Sequence, residues 1–218
     1  MRLYTINKDY INYLKEFDEK VANVDYKDKF KLFVGKVKLQ NNNENVKYYI
    51  PLTSYKEKFE TPESDKIDIF KVKDKHGEKF TSVLNINNMI PAPDIAVTEF
   101  GYDQLRNNNG FRTYADKDRY YHLTIDELNY INENKDTIEY KARTIFSMTK
   151  DNNAKYKNLA DRCCNFVDLY THAIEYNDIL TSEVEDLMSQ ITKEFKELGV
   201  GDNKQSNTYK NNDFNKEK

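Results

Sequence analysis

The sequence predicts an α+β fold: a small, curved antiparallel β-barrel with added helices, mostly in the C-terminal half. Three observations predict it. Short apolar runs of period two fill much of the first hundred residues, turn-forming residues separate them, and the spacing becomes helical after Gly101. Four or five short strands of this kind favour a barrel over a flat open sheet.

Taken in order, Asn7 is placed to cap a helix with Tyr10, Ile11, Leu14 and Phe17 on one face. Phe30, Leu32 and Val34 alternate with Lys31, Phe33 and Gly35, and the pattern runs on through Val37 and Leu39. A polar loop, 40–45, leads to Val46-Lys47-Tyr48-Tyr49-Ile50-Pro51-Leu52, so the two runs read as a hairpin. A second pair covers 67–72 and 80–86 around a turn at 75–78, and 95–100 offers one more strand beyond Pro91 and Pro93. Thr124 with Glu127 reads as a capping box before Leu128 and Ile131. Ile138, Ala142, Ile145 and Met148 continue at helical spacing, and Asn165 caps a segment with Phe166, Leu169, Ala173 and Ile174. Ser182 with Glu185 opens a last helix bearing Val184, Leu187, Met188, Ile191, Phe195 and Leu198, a stripe suited to core packing. The expectation is one domain over 1–201, with its barrel mainly at 28–100 and its helices mainly at 102–198. Residues 202–218 bury almost nothing and read as a disordered tail.

Composition excludes several classes. No stretch approaches the roughly 20 apolar residues of a membrane span. The first residues lack the apolar segment of a signal peptide. Cys163 and Cys164 are adjacent and the only cysteines, so a disulfide framework is excluded and a helix-packing role is expected. A cytoplasmic protein without membrane association follows. The 34 basic and 37 acidic residues give a net charge of −3, which hides an uneven distribution. Lysines outnumber carboxylates between Lys27 and Lys58, whereas 181–198 holds two lysines and five carboxylates. Such a basic first third fits a polyanion held locally, or lysines that merely solvate strand edges.

There is no Walker A loop and no Gly-x-Gly-x-x-Gly. His76, His122 and His172 lie far apart without cysteines or carboxylates at ligand spacing, and Asp116-Lys117-Asp118 lacks the glycine of a calcium loop. No metal and no cofactor are therefore expected. The informative stretch is Pro51-Leu52-Thr53-Ser54-Tyr55-Lys56, where two hydroxyls and an ammonium emerge as a strand ends. If the hairpin pairs around its Asn-rich loop, Lys31 reaches the same end. Hydroxyls that hold non-bridging oxygens, and lysines that offset developing charge, suit a phosphodiester. A polar loop with a surface lysine is the plainer reading of the same residues.

Five segments, in order from residue 3 to about 176, resemble the ToxN/AbiQ family of type III toxin–antitoxin endoribonucleases. They are Leu3-Tyr4-Thr5-Ile6 with 10–14, Lys31-Leu32-Phe33-Val34-Gly35-Lys36-Val37, Tyr48 to Lys56, the Asn-Met-Ile-Pro element within 84–91, and Cys164-Asn165-Phe166. Tyr55 stands where the family usually has proline, which should loosen the loop after Ser54. The resemblance implies a MazF-related, SH3-like barrel and metal-independent RNA cleavage leaving 2′,3′-cyclic phosphate ends. It implies Thr53, Ser54 and Lys56 as active-site residues, with Lys31 as a phosphate-binding or catalytic partner. Ser54 is expected nearest the reacting phosphate and Lys56 to stabilise its charge, while a lysine of depressed pKa is one possible proton acceptor. Tyr26, Lys29, Lys36 and Lys58 are candidate RNA-binding residues; Asn87 and Asn88 read as turn formers. The implied partners are target RNA and an RNA antitoxin, a pseudoknot cut from a tandem-repeat transcript, in a closed protein–RNA assembly. A non-catalytic RNA-binding module on the same barrel is the alternative, and the acidic last helix could instead dock a protein.

Overall fold

The computed structural model describes residues 1–24, 30–39, 44–60, 66–150 and 154–197. Contacts divide the chain into two units, Met1–Asp178 and Ile179–Lys218. The first unit contains strands β1 (Arg2–Ile6), β2 (Phe33–Val37), β3 (Val46–Ser54), β4 (Ile69–Lys73), β5 (Phe80–Asn85), β6 (Ile90–Pro93) and β7 (Val97–Glu99). Its helices are α1 (Lys8–Lys15), α2 (Tyr102–Arg106), α3 (Tyr114–Glu133), α4 (Lys135–Thr149) and α5 (Lys157–Ala160), and α6 (Phe166–Glu197) begins in it. The expected α+β class and the change of period near Gly101 both hold.

The spine is β3, nine residues of which Val46 and Tyr48 to Leu52 are buried, while Ser54 at its end is exposed. One edge pairs with β2 (Phe33 opposite Pro51, Val34 opposite Ile50), which is the hairpin expected from the alternation. The other edge is shared. Val46 to Tyr49 pair with β6, and Leu52 to Ser54 pair with β5. The strand order is β4-β5-β3-β2-β1-β7, with β6 beside β3. The sheet is not closed, so the expected barrel is corrected to an open, antiparallel sheet: among the described residues β4 and β7 have no strand on their outer edges. Coverage comes from helices instead. α3 packs against β4, and α4 against the 3₁₀ turn at Ile86–Asn88.

Two buried tyrosines fasten helix to sheet by their hydroxyls. Tyr10 of α1 donates to the Pro91 carbonyl at 2.7 Å, and Tyr48 of β3 donates to the Phe166 carbonyl at 2.9 Å. Both rings are essentially inaccessible to solvent, so each side chain contributes apolar burial while its polar atom keeps a partner. Asn7 caps α1 as expected, accepting from the Asp9 N–H at 2.7 Å, although Phe17 lies beyond the helix end and is exposed.

Two expected capping boxes are corrected. Thr124 and Glu127 are not at a helix start; they lie inside α3 and, with Ile131, form its buried face at spacings of three and four. The box that opens α3 is Thr113 with Asp116. Ser182 lies within α6 and donates to the Ile179 carbonyl at 3.2 Å. In the second unit Val184, Leu187, Met188 and Ile191 are exposed, so the expected core packing is not seen for these four; the Phe195 side chain and Leu198 lie outside what is described. The tail 202–218 lies outside the described residues. Among the described residues no helix is long and apolar enough to cross a membrane.

Gly35 is demanded by a close approach, not by its torsions. A Cβ there would lie 2.4 Å from Cδ1 of Tyr49, whose ring is fully buried and meets Tyr4 edge-on at 5.2 Å. Gly35→Ala is expected to cost about 1–3 kcal/mol, the usual range for overpacking. Urea denaturation will show this as a lower midpoint at unchanged slope.

Candidate active site

The site begins with the β2–β3 ladder. Its hydrogen bonding continues one step before β2, where the Leu52 N–H donates to the Leu32 carbonyl at 2.9 Å. That register fixes Lys31 beside the end of β3. Lys31 Nζ donates to the Leu52 carbonyl at 2.9 Å and to Thr53 Oγ1 at 2.8 Å. Its residue is only 9% exposed. Burial disfavours the charged ammonium, and Lys56 adds like-charge repulsion, so the Lys31 pKa falls from 10.5 to about 8.

Thr53 Oγ1 has a second donor. Asn85, the last residue of β5, gives its Nδ2 hydrogen to it at 2.8 Å. A hydroxyl has two acceptor positions and one hydrogen. Lys31 and Asn85 occupy both acceptor positions, so the Thr53 hydrogen is left to donate elsewhere.

Lys31, Thr53, Ser54 and Lys56 line one cleft of about 250 Å³. Phe30, Leu32 and Leu52 add apolar surface from the sheet side, and α3 adds Tyr120, Leu123, Thr124 and Glu127. Ser54 and Lys56 are exposed, whereas Lys31 is buried beneath them in the chain's hydrogen bonding. The combination is a solvent-reachable alcohol and ammonium beside a shielded amine and an oriented hydroxyl. Such a set can bind a phosphate group and exchange a proton near neutral pH.

Tyr55 does not loosen this segment as expected. Its N–H donates to the Thr81 carbonyl at 2.9 Å, its ring stacks on Phe80 at 5.1 Å, and its hydroxyl donates to the Phe59 carbonyl at 3.1 Å. Proline could not supply that N–H. Of the expected RNA-binding residues, Lys36 pairs with Asp94 at 2.6 Å and Lys58 sits 4.9 Å from the centre of the Phe59 ring. Neither lines the cleft. Tyr26 and Lys29 lie outside the described residues. Asn87 and Asn88 form the 3₁₀ turn, donating to the carbonyls of Arg162 and Lys20. Cys163 and Cys164 are buried, and burial pushes the Cys163 thiol up to about 12, which suits packing and not nucleophilic chemistry. Among the described residues no group of three or more His, Cys, Asp or Glu side chains could hold a metal ion.

The family model for the toxin ToxN of type III toxin–antitoxin systems matches residues 2–197. The chain belongs to the ToxN family. Endoribonuclease ToxN of Bacillus thuringiensis subsp. kurstaki is 28% identical over 181 residues, covering 81% of this chain and 84% of that protein. Endoribonuclease ToxN of Pectobacterium atrosepticum is 30% identical over 150 residues, covering 66% and 79%. A solved type III toxin–antitoxin structure, described for selective toxin inhibition by a non-coding RNA pseudoknot, aligns with a TM-score of 0.63 at 27% identity. That alignment covers 81% of this chain and 97% of the other.

Within this ToxN-family cleft, sequence reasoning missed Asn85, Tyr120 and Glu127. Asn85 sits inside a quoted motif but shows its purpose only when β5 is laid beside β3. Glu127 was masked by its fit to a capping box; its fit to the buried face of α3 was the available signal.

Asn85→Ala removes one donor to Thr53 and frees its hydroxyl to rotate. The expected result is a roughly tenfold lower kcat for RNA cleavage with KM within about threefold, the pattern of an interaction made mainly in the transition state. Asn85→Gln, whose longer amide can still reach, should recover part of the loss.

Proposed function

We propose that this cleft is the active centre of a metal-independent endoribonuclease, the toxin of a type III toxin–antitoxin system, acting on single-stranded RNA by transesterification. The observation that carries this reading is the 2.8 Å contact between Lys31 Nζ and Thr53 Oγ1 in a cleft shared with Ser54 and Lys56. Metal-ion chemistry has no part in this mechanism, and chelation tests that.

A neutral amine has two hydrogens and one lone pair. Lys31 directs its two hydrogen bonds to Leu52 and Thr53, which leaves the lone pair for the ribose 2′-hydroxyl proton. The 2′-oxygen attacks the adjacent phosphorus as that proton passes to Lys31. The hydroxyls of Thr53 and Ser54 donate to non-bridging oxygens, and the Lys56 ammonium balances the negative charge that builds there. The bond from phosphorus to the 5′-oxygen breaks, the departing oxygen takes a proton from water, and a 2′,3′-cyclic phosphate and a 5′-hydroxyl remain. Lys31 then returns its proton to solvent. The partner in this reading is an RNA antitoxin, a pseudoknot released from a tandem-repeat transcript, held in a closed protein–RNA assembly in the cytoplasm. Lysines outside the cleft, Lys36 and Lys58 among them, hold the RNA backbone.

Ser54→Ala is expected to lower cleavage about 100-fold or more, as loss of a donor to a developing oxyanion does, with RNA affinity within a few fold. A variant that still cleaves at the original rate would remove Ser54 from the mechanism; a wild-type protein that binds RNA without cutting would favour the binding-module alternative. EDTA is expected to leave the rate unchanged.

The pH dependence has a definite sign. kcat/KM reports groups of the free enzyme. A Lys31 that must be neutral gives a value rising about tenfold per pH unit below its pKa near 8 and levelling above it. A value that falls through pH 8 would mean that Lys31 acts as a cation.

A further inference from the structure

Half of the cleft is unused by that chemistry. Glu127 lines it from α3 and is 4% exposed, a carboxyl held away from water. Burial raises its pKa, and the hydroxyls of Thr81 and Ser82 on β5 oppose the rise. Yet neither hydroxyl completes a hydrogen bond of ordinary geometry, although Ser82 is 2% exposed. The two hydroxyls therefore lie near the carboxyl in a shielded place without a hydrogen-bond partner of their own, and buried polar atoms without partners are rare unless a ligand or water supplies them. The Thr124 hydroxyl does not help, because it donates to the Tyr121 carbonyl at 2.7 Å.

The same cleft has flat apolar sides. Phe30 and Tyr120 line it and are tied together through Phe100, with ring centres at 5.4 and 6.4 Å, while Phe111 backs Tyr120 at 5.2 Å. Planar rings beside a polar cluster, next to the lysines and hydroxyls, match what single-stranded RNA offers: a base to stack and an edge to read, attached to a phosphate. The volume of about 250 Å³ is small for a drug-sized ligand and suits one such group.

We propose that Glu127, Thr81 and Ser82, walled by Phe30, Tyr120 and Leu123, form a nucleobase subsite that accepts a base carrying an exocyclic amino group and rejects uracil. This rests on the assignment of the cleft to RNA. A carboxylate accepts hydrogens from an amino group, and a serine or threonine hydroxyl can donate to the ring nitrogen beside it. Uracil presents one N–H flanked by two carbonyl oxygens, so a carboxylate that took the hydrogen would face an oxygen at once. A site built around hydrogen-bonding groups rejects an edge that leaves them unpaired far better than an apolar pocket rejects a change of size.

Cytosine and uracil have rings of equal size, so comparing them removes most of the stacking difference. The probes are fluorescent hexacytidylate and hexauridylate with 2′-O-methyl riboses, which cannot be cleaved, titrated with the full chain at one salt concentration. Wild-type protein is expected to bind the cytidine probe roughly tenfold more tightly, the discrimination of one good base-edge contact. Glu127→Gln, whose amide can both donate and accept, should bring the two affinities within about threefold, mainly by tighter binding of the uridine probe. Equal affinities in the wild type, or an unchanged ratio in Glu127→Gln, would overturn the proposal. Should that variant fail to fold, Ser82→Ala must reduce the ratio, and an unchanged ratio there would overturn it equally. The measurement involves no cleavage, so a protein that discriminates but does not cut would sink the mechanism of Lys31 and Ser54 while leaving this subsite standing.

Discussion

Placing a lysine inside a protein is costly unless its hydrogens are accounted for, and the site depends on how this chain meets that condition for Lys31. The amine sits under the end of β3, with two hydrogens donated to the Leu52 carbonyl and Thr53 Oγ1. Both partners lie on the strand that β2 pairs with, so the register of one ladder sets the amine, the hydroxyl and the strand end together. A slip of one residue would turn Lys31 to the other face of the sheet and separate it from Thr53. Gly35 and Tyr49 guard that register, because the glycine lets the buried ring lie against the neighbouring strand. The same burial lowers the Lys31 pKa to about 8, which brings its proton exchange close to neutral pH. Structure and chemistry here share one cause.

The hairpin and the pair 67–72 with 80–86 were legible because their alternation is local and their turns carry the right residues. Other elements depend on partners distant in sequence. β1 precedes a helix with no turn signal of its own, and becomes a strand by lying between β2 and β7. β6 contains Pro91 and Pro93, which read as a break; it survives because it pairs only with β3 among the described residues, and a strand with one free edge tolerates proline. The barrel expectation treated curvature as closure. Instead β3 divides its outer edge between β5 and β6, and the helices cover the sheet that remains open.

The site divides in the same way. Lys31, Thr53, Ser54 and Lys56 were readable, since three are neighbours in sequence and the fourth faces them across a hairpin. Asn85, Tyr120 and Glu127 were not, because each reaches the cleft from an element whose position follows from tertiary packing. Glu127 shows the hazard of local patterns. Its spacing from Thr124 suits a capping box, and the same spacing puts both residues on the buried face of α3. Only the burial of that face distinguishes the two. The ToxN family membership adds an expectation about chemistry, but the two donors on Thr53 and the orphan hydroxyls near Glu127 are properties of this cleft's geometry.

If Lys31 is the proton acceptor, it must change protonation state within reach of neutral pH. Its Nζ resonance, followed by NMR in protein carrying isotope-labelled lysine and assigned with Lys31→Arg, reports this without any substrate. A midpoint near 8 is expected. A midpoint near 10.5, the ordinary value for lysine, would show that the amine stays charged throughout the working range and would contradict its role as the proton acceptor.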